Sequence, residues 1–382
     1  MVRGPVYMKR TTPAVLFIAS VPEMGGAEHS LLHLLSGCTR IDPVVLCPGG
    51  GDLECALREE GIRVVCFPLS PLQKTVNPLT LAALAFRVAR FRFYMHTVVR
   101  KYGVDLVCAN GNISAAYARF LPKRTPRIWF SRDTRGLGRH MAFFLNRAFT
   151  RIIVPSELVR TYLRDLGVPE HKTVSIPNPV NRERFYPGEG CREQFGIPQQ
   201  SFAIGMAAHL APWKNHLVFL DAAERLCRDF PDIFVVMAGR DITGFNRLYR
   251  KKLERRFRET IPENRGVWVQ RSFAPENLYR SLNVVVHPVS GEPFGRTVAE
   301  AMVCALPVVT GDGGVLSFVE KDVCFHLEKI TPDTVYGACV RLYIDEKFRR
   351  ETAERASRHA GNVFDAQRIA ERVEDVLLEE IQ

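Results

Sequence analysis

The stretch from Val284 to Gly314, VVVHPVSGEPFGRTVAEAMVCALPVVTGDGG, decides how the rest of the chain is read. Its opening run, Val284-Val285-Val286, has no polar alternation, the pattern of a parallel strand covered on both faces. Pro307-Val308-Val309-Thr310 is a second such run. Between them the spacing predicts a loop, Ser290 to Gly295, and a helix from about Thr297 with Glu300 in its first turn. Glycines in the loop let backbone approach a ligand, and a helix start presents N–H groups to anions. Glu292 and Glu300, with seven residues between them, are placed to accept hydrogen bonds from hydroxyl-bearing rings beside that anion site. A plain βαβ unit with two solvated glutamates is the alternative.

The Glu-x7-Glu pair with Pro-Phe-Gly inside it resembles the signature of the retaining GT-B glycosyltransferases, group 1 (family 4-like). Ala301-Met302, Leu306-Pro307-Val308-Val309 and Asp312-Gly313-Gly314 echo the usual continuation, with Ala305 where the family has glycine. The resemblance implies an α/β chain of two doubly wound Rossmann-like domains facing across a cleft, with a C-terminal helix crossing back to the first. It also implies a nucleotide diphosphate sugar as the donor substrate.

At 382 residues the chain suits two domains. No apolar run is long enough to cross a bilayer, and Ala14 to Ala19 leads into a glycine loop, so it reads as a first strand and not as a signal peptide. Met1 to Thr12 reads as a disordered leader. The ten cysteines are scattered singly without metal-ligand spacing, which suits a reducing cytoplasm. The net charge of +11 fits nucleic acid, an anionic membrane or anionic small ligands equally well.

Strand and helix patterns alternate from Val15 onward, as a parallel doubly wound sheet requires. Gly25-Gly26 follows the first strand, where a missing Cβ allows a phosphate close to backbone. Helices are expected over Asp52–Glu60 and Pro78–Tyr102, and strands at Arg63–Pro68, Asp105–Ala109 and Arg127–Phe130. Val174 to Asn181, with two prolines around Asn178, resembles the family's hinge, and the boundary is placed near Val180. Domains are thus expected at 13–180 and 181–364, with 365–382 as the returning helix. After the strand Phe202–Met206, the segment Ala207 to His216 resembles the loop in which an arginine and a lysine hold the donor diphosphate. Lys214 matches the lysine, His209 takes the arginine's place and Asn215 the place of a usual glycine.

By the same resemblance, Glu300 would accept from ribose hydroxyls, and Glu292 with the amides of Phe294 and Gly295 would hold the sugar. Lys214, the Gly25-Gly26 amides and the helix start at Arg296-Thr297 would meet the diphosphate. Arg271 falls where backbone edges the nucleobase. Arg132-Asp133 stands where relatives carry His-Asp. Arg132 would contact an anionic acceptor or the departing phosphate, or else serve a structural salt bridge. No Asp-x-Asp occurs, so no metal and no cofactor are expected.

The implied reaction is retaining, metal-independent sugar transfer to an acceptor hydroxyl, the acceptor being a glycan or lipid-linked precursor in cell-envelope glycan, lipopolysaccharide or exopolysaccharide synthesis. Alternatives are a sugar-phosphate or small-molecule transferase and a basic nucleic-acid-binding protein. The latter is disfavoured because the arginines lie on several helices without a recognised motif. In the helix Pro78–Tyr102, Leu81, Leu84, Ala85, Val88, Met95, Val98 and Tyr102 form the expected core stripe. Arg87, Arg90 and Lys101 with Phe86 and Phe93 would then face outward, suited either to an anionic membrane on the cytoplasmic side or to ordinary solvation.

Overall fold

The computed structural model describes residues 12–69, 77–121, 125–241, 244, 246–271, 273–320 and 322–382, without the side chains of Pro78 and Leu81. Residues 1–11 of the expected leader therefore lie outside the described residues. The chain divides into two compact units, one formed by the chain up to Pro179 with Ala366–Gln382, the other by Val180–Asp365.

In the first unit the order is β1 (Ala14–Ala19), α1 (Gly26–Gly37), β2 (Asp42–Cys47), α2 (Asp52–Glu59), β3 (Arg63–Cys66), α3 (Pro78–Tyr102), β4 (Val104–Asn110), α4 (Asn112–Ala118), β5 (Arg127–Phe130), α5 (Arg139–Asn146), β6 (Arg151–Val154), α6 (Glu157–Asp165) and β7 (Thr173–Ser175). The strands form one parallel sheet in the order β3-β2-β1-β4-β5-β6-β7. Every residue of β1 and β5 is buried, the result expected of apolar runs covered on both faces. Side chains alternate between two cores. Leu16, Val107, Trp129 and Ile152 meet α3, α4, α5 and α6, whereas Val15, Phe17, Cys108 and Ile128 meet α1, α2 and the last helix.

In the second unit come β8 (Phe202–Ala207), α7 (His216–Asp229), β9 (Ile233–Ala238), α8 (Arg247–Thr260), β10 (Gly266–Val269), α9 (Pro275–Ser281), β11 (Val284–His287), α10 (Arg296–Val303), β12 (Val308–Thr310), β13 (Phe325–His326), α11 (Pro332–Ile344) and α12 (Glu346–Val363). These strands form a parallel sheet in the order β10-β9-β8-β11-β12-β13. The last helix, α13 (Ala366–Ile381), returns to the first unit. Ile369, Val373 and Leu377 are buried there, and Gly37 lets α1 approach, since a Cβ on it would stand 3.0 Å from that of Ala370. Buried Glu374 accepts from the N–H groups of Thr39 and Arg40 at 2.8 and 2.6 Å, fixing the helix in register.

α3 corrects part of the sequence expectation. Asn77 caps it and Gly103 ends it in the left-handed region, so its limits are as read. Met95 and Val98 are buried, but Phe91 is the third core residue, Leu84 and Val88 are only half-buried, and Ala85 is exposed. A 3.6-residue stripe extrapolated from the helix start predicts core contacts that the first half of α3 does not make. Arg87, expected outward, donates to Tyr117 Oη at 3.1 Å. Among the described residues no helix is long and apolar enough to cross a membrane.

Candidate functional site

In the second sheet the chain order reverses between β8 and β11, with β9 and β10 on one side of β8 and β11 to β13 on the other. Such a reversal in an open parallel sheet leaves a crevice at the carboxyl ends of the two strands. The segments leaving β8 and β11 carry Lys214, Glu292 and Glu300.

Lys214 ends a short 3-10 turn after β8 and is 4% exposed. Its Nζ lies 2.6 and 2.5 Å from the two oxygens of Glu292 and 4.2 Å from the centroid of the Trp213 ring. Asn215, next to it, adopts φ 59° and donates from its side chain to Pro288 O at 2.8 Å, tying the β8 loop to the β11 loop. Asparagine tolerates this left-handed backbone better than most residues, which accounts for its standing in place of glycine.

β11 ends in buried His287, whose Nε2 is 2.7 Å from Glu292 Oε2. A carboxylate only accepts, so Nε2 carries the proton. The main chain of the Glu292 loop is clasped by the loop after β12. Gly291 N donates to Asp312 O, Gly314 N to Glu292 O, and Val315 N to Phe294 O, at 2.9, 2.9 and 2.6 Å. Burial by itself would raise the pKa of Glu292, but His287 and Lys214 outweigh it and hold the carboxyl well below the usual range. Burial lowers Lys214, an effect that Glu292 opposes. His287 is likewise lowered by burial, with Glu292 opposing. The cluster is therefore a buried ion pair steadied by an imidazole N–H.

Glu300 corrects the sequence reading by one turn, because α10 starts at Arg296 and places it in the second turn, not the first. It is 5% exposed, with Oε1 accepting from Arg296 at 2.6 Å and Oε2 from Tyr279 Oη at 3.2 Å. Thr297 Oγ1 donates to Ala207 O at 3.2 Å, which pins the start of α10 to the end of β8. Gly295, at φ 99°, makes the turn that aims this first helical turn. Phe294 contributes backbone only, since its ring is buried against Phe318 and Phe364.

His209 is half-buried beside Trp213, and burial followed by the charge of Lys214 lowers its pKa, with Glu292 opposing, which favours the neutral imidazole. Arg271 follows β10, two strands from β8, and donates to Gln194 O. Sequence reasoning missed His287 and Tyr279. The first was legible as the polar residue closing an apolar run, but nothing local marks Tyr279, which meets Glu300 only through tertiary packing of α9.

The first unit has its own reversal, between β1 and β4. Gly25 caps α1, and buried Glu28 reaches back to the Gly25 amide as the third residue of a capping box does. A Cβ at Gly25 would stand 2.8 Å from Glu28 Oε2, the movable end of a flexible side chain, and the Gly25 amide already faces that carboxylate. Burial raises Glu28, with its backbone bonds and Arg132 opposing. Arg132 donates to Asn110 Oδ1 at 3.0 Å, to Ser30 Oγ at 3.1 Å and to Asn178 Oδ1, fastening the Pro177-Asn178-Pro179 segment. Asp133 accepts from Asn112 at 3.2 Å; its carboxyl is raised by desolvation, with Arg132 opposing, even though part of the residue reaches solvent. Among the described residues, no group of three or more His, Cys, Asp or Glu gathers as metal ligands would.

Residues 189–359 match the family described as glycosyl transferases group 1, and residues 25–179 match the glycosyl transferase 4-like domain. D-inositol 3-phosphate glycosyltransferase of Corynebacterium urealyticum is 30% identical over 209 residues, 51% of this chain and 49% of that protein. The chain thus spans about half the length of the first curated relatives it matches. The lipopolysaccharide core biosynthesis mannosyltransferase LpsB of Rhizobium meliloti is 27% identical over 274 residues, 68% of this chain and 76% of that one. Among solved structures, Anabaena HepE in complex with UDP and glucose superposes with a TM-score of 0.82 at 22% identity, over 95% of this chain and 98% of HepE. The fold is the GT-B arrangement of two Rossmann-like parallel-sheet units.

Proposed function

The chain belongs to the group 1 glycosyltransferases, and on that premise we propose that it moves a sugar from a nucleotide diphosphate sugar to an acceptor hydroxyl, with retained anomeric configuration and without a metal ion. The observation that carries the reading is the convergence of Lys214, Glu292 and Glu300 at the β8–β11 reversal. A carboxylate has about four lone-pair directions. Arg296 and Tyr279 occupy two on Glu300, which leaves room for the two ribose hydroxyls. The ammonium of Lys214 has three N–H groups, of which two point at Glu292, and the third is available to a diphosphate oxygen. The start of α10 at Arg296-Thr297 adds partial positive charge for the same group. Glu292, with the Phe294 and Gly295 backbone, would hold the sugar hydroxyls.

In the proposed step the acceptor oxygen bonds to the anomeric carbon on the face from which the diphosphate leaves. The anomeric carbon–phosphate oxygen bond breaks, and the departing phosphate takes the acceptor proton. No side-chain nucleophile is required. In the first unit Arg132, Asp133 and the Gly25-Gly26 turn lie at the β1–β4 reversal and are proposed to contact an anionic ligand there, with Glu28 yielding the Gly25 amide to it.

An envelope glycan acceptor is favoured by the likeness to LpsB. A phosphorylated small polyol is the second reading, favoured by the D-inositol 3-phosphate glycosyltransferase relative. The test incubates the protein with a nucleotide-sugar panel and both acceptor types, and reads nucleotide release and product anomer by NMR. An α-linked product from one α-configured donor is expected; an inverted product, or no turnover with any donor, overturns the proposal.

A further inference from the structure

Residues 61–156 hold 16 lysines and arginines but only two acids, Asp105 and Asp133, an excess larger than the +11 of the whole chain. The exposed apolar side chains concentrate in the same quarter of the sequence. Of the nine large hydrophobics exposed among the described residues, six fall in it: Leu79, Phe86, Phe93, Met141, Phe143 and Phe144. Solvated helices commonly show one of these features. Both together, on one part of one unit, mark an interaction surface.

The fold brings the two sets onto one side. Phe91, Met95 and Val98 of α3, Tyr117 of α4, and Ala142 and Leu145 of α5 pack into the same core layer, so these helices cover one face of the first sheet. Arg87 joins α3 to α4 through Tyr117, and Arg119 just after α4 lies 4.9 Å from the Phe144 ring of α5. A groove of about 840 Å³ runs beside α5, lined by Arg119, Arg127, Arg147, Lys172, Phe143 and Phe144 among others, with no acidic residue.

On α3, Leu79, Phe86, Phe93 and Arg100 recur every seven residues along one stripe, with Arg90 beside it. Across residues 79–90 none of the described side chains is buried. A dozen helical residues with so little packing are marginal in water, so this half of α3 calls for something to lie against.

We infer that the outer face of α3, α4 and α5 is a docking surface for an anionic lipid bilayer. Phe86, Phe93, Phe143 and Phe144 enter the headgroup boundary, and Arg90, Arg100, Arg119 and Arg147 meet lipid phosphates. Charge complementarity selects the occupant, since apolar rings set among cations on helices that carry no acid match a negatively charged interface with an apolar interior. The inference rests on the first unit alone and is independent of the transfer reaction.

The test is flotation of the full-length protein, without substrates, on phosphatidylcholine vesicles with and without phosphatidylglycerol. Recovery is expected only with phosphatidylglycerol and should fall as salt is added. F86S/F93S and F143S/F144S should each reduce recovery severalfold. R90E/R100E and R119E/R147E should weaken partitioning by roughly fivefold for each cation removed. All eight side chains are exposed, so unchanged thermal midpoints serve as the folding control. Equal recovery on neutral and anionic vesicles, or none on either, overturns the inference. So does loss on charge reversal with wild-type binding by both serine pairs, which would mark a general polyanion surface; a single-stranded oligonucleotide competing equally well in every variant would point the same way.

Discussion

Replacing Lys214 by methionine removes a cation that is 4% exposed and within 2.6 Å of both oxygens of Glu292. Methionine keeps most of the volume, so the packing change should cost under about 1.5 kcal/mol. The larger effect is on Glu292, left in the same enclosed place with only the His287 N–H. Breaking one side of a buried pair costs about 3–5 kcal/mol. The retained imidazole bond and the 17% exposure of the Glu292 side chain put the expected loss at the lower end, about 3 kcal/mol. K214M/E292Q removes both charges and should recover part of that loss, giving a coupling of about 2 kcal/mol in the double-mutant cycle. Urea unfolding of the four proteins measures it. Donor turnover separates structure from function. It should fall about 10- to 100-fold in K214M, the loss of one charge-assisted contact, and stay low in the double variant although stability returns. Additive stability losses would refute the coupling, and recovered turnover in the double variant would refute a direct role for Lys214.

Four further outcomes are expected. Glu292 has a lower pKa in the folded chain than in the unfolded one, so its contribution is complete above the ordinary value of 4.5 and declines as pH falls below it; the stability gap between wild type and E292Q should narrow there in pH-dependent urea unfolding. Ala305 is held at φ 57°, a backbone that disfavours a Cβ by about 1–2 kcal/mol, so A305G should gain about 0.5–1 kcal/mol after the entropy of glycine, seen as a raised thermal midpoint. Y279F removes one donor to Glu300 and should lower donor affinity about fivefold with little change in fold, measured by calorimetric titration. Turnover should survive excess EDTA, and abolition with rescue by Mn²⁺ or Mg²⁺ would count against protein groups as the sole partners of the diphosphate.

Much of the fold was legible because parallel strands covered on both faces appear as unbroken apolar runs, as at β1, β5, β8 and β11. Two very short strands without such runs were not. Thr173–Ser175 and Phe325–His326 are defined by their neighbours' hydrogen bonds and have no period of their own. The site's residues were legible where the motif is local, as for Lys214, Glu292 and Glu300. Tyr279, a partner of Glu300, was not, because spacing along the chain carries no record of which neutral groups packing delivers. Arg132 illustrates this, since its charge pointed to Asp133 or another acid, while nothing in the spacing announced the neutral Asn110, Ser30 and Asn178 among its partners. Two departures from the family's glycines proved informative. Asn215 and Ala305 are the only non-glycine residues at positive φ among the described residues, so the backbone keeps the glycine conformation after the side chain has changed.

Binding of a nucleoside diphosphate at the β8–β11 reversal, through Lys214 and Glu300, underlies every functional step proposed above. Calorimetric titration with uridine, guanosine and adenosine diphosphates tests it without needing the acceptor. One of them should bind the wild-type protein, and its affinity should fall tenfold or more in both K214M and E300A while each variant stays folded. Failure of all three to bind, or equal affinity in the variants, would contradict it.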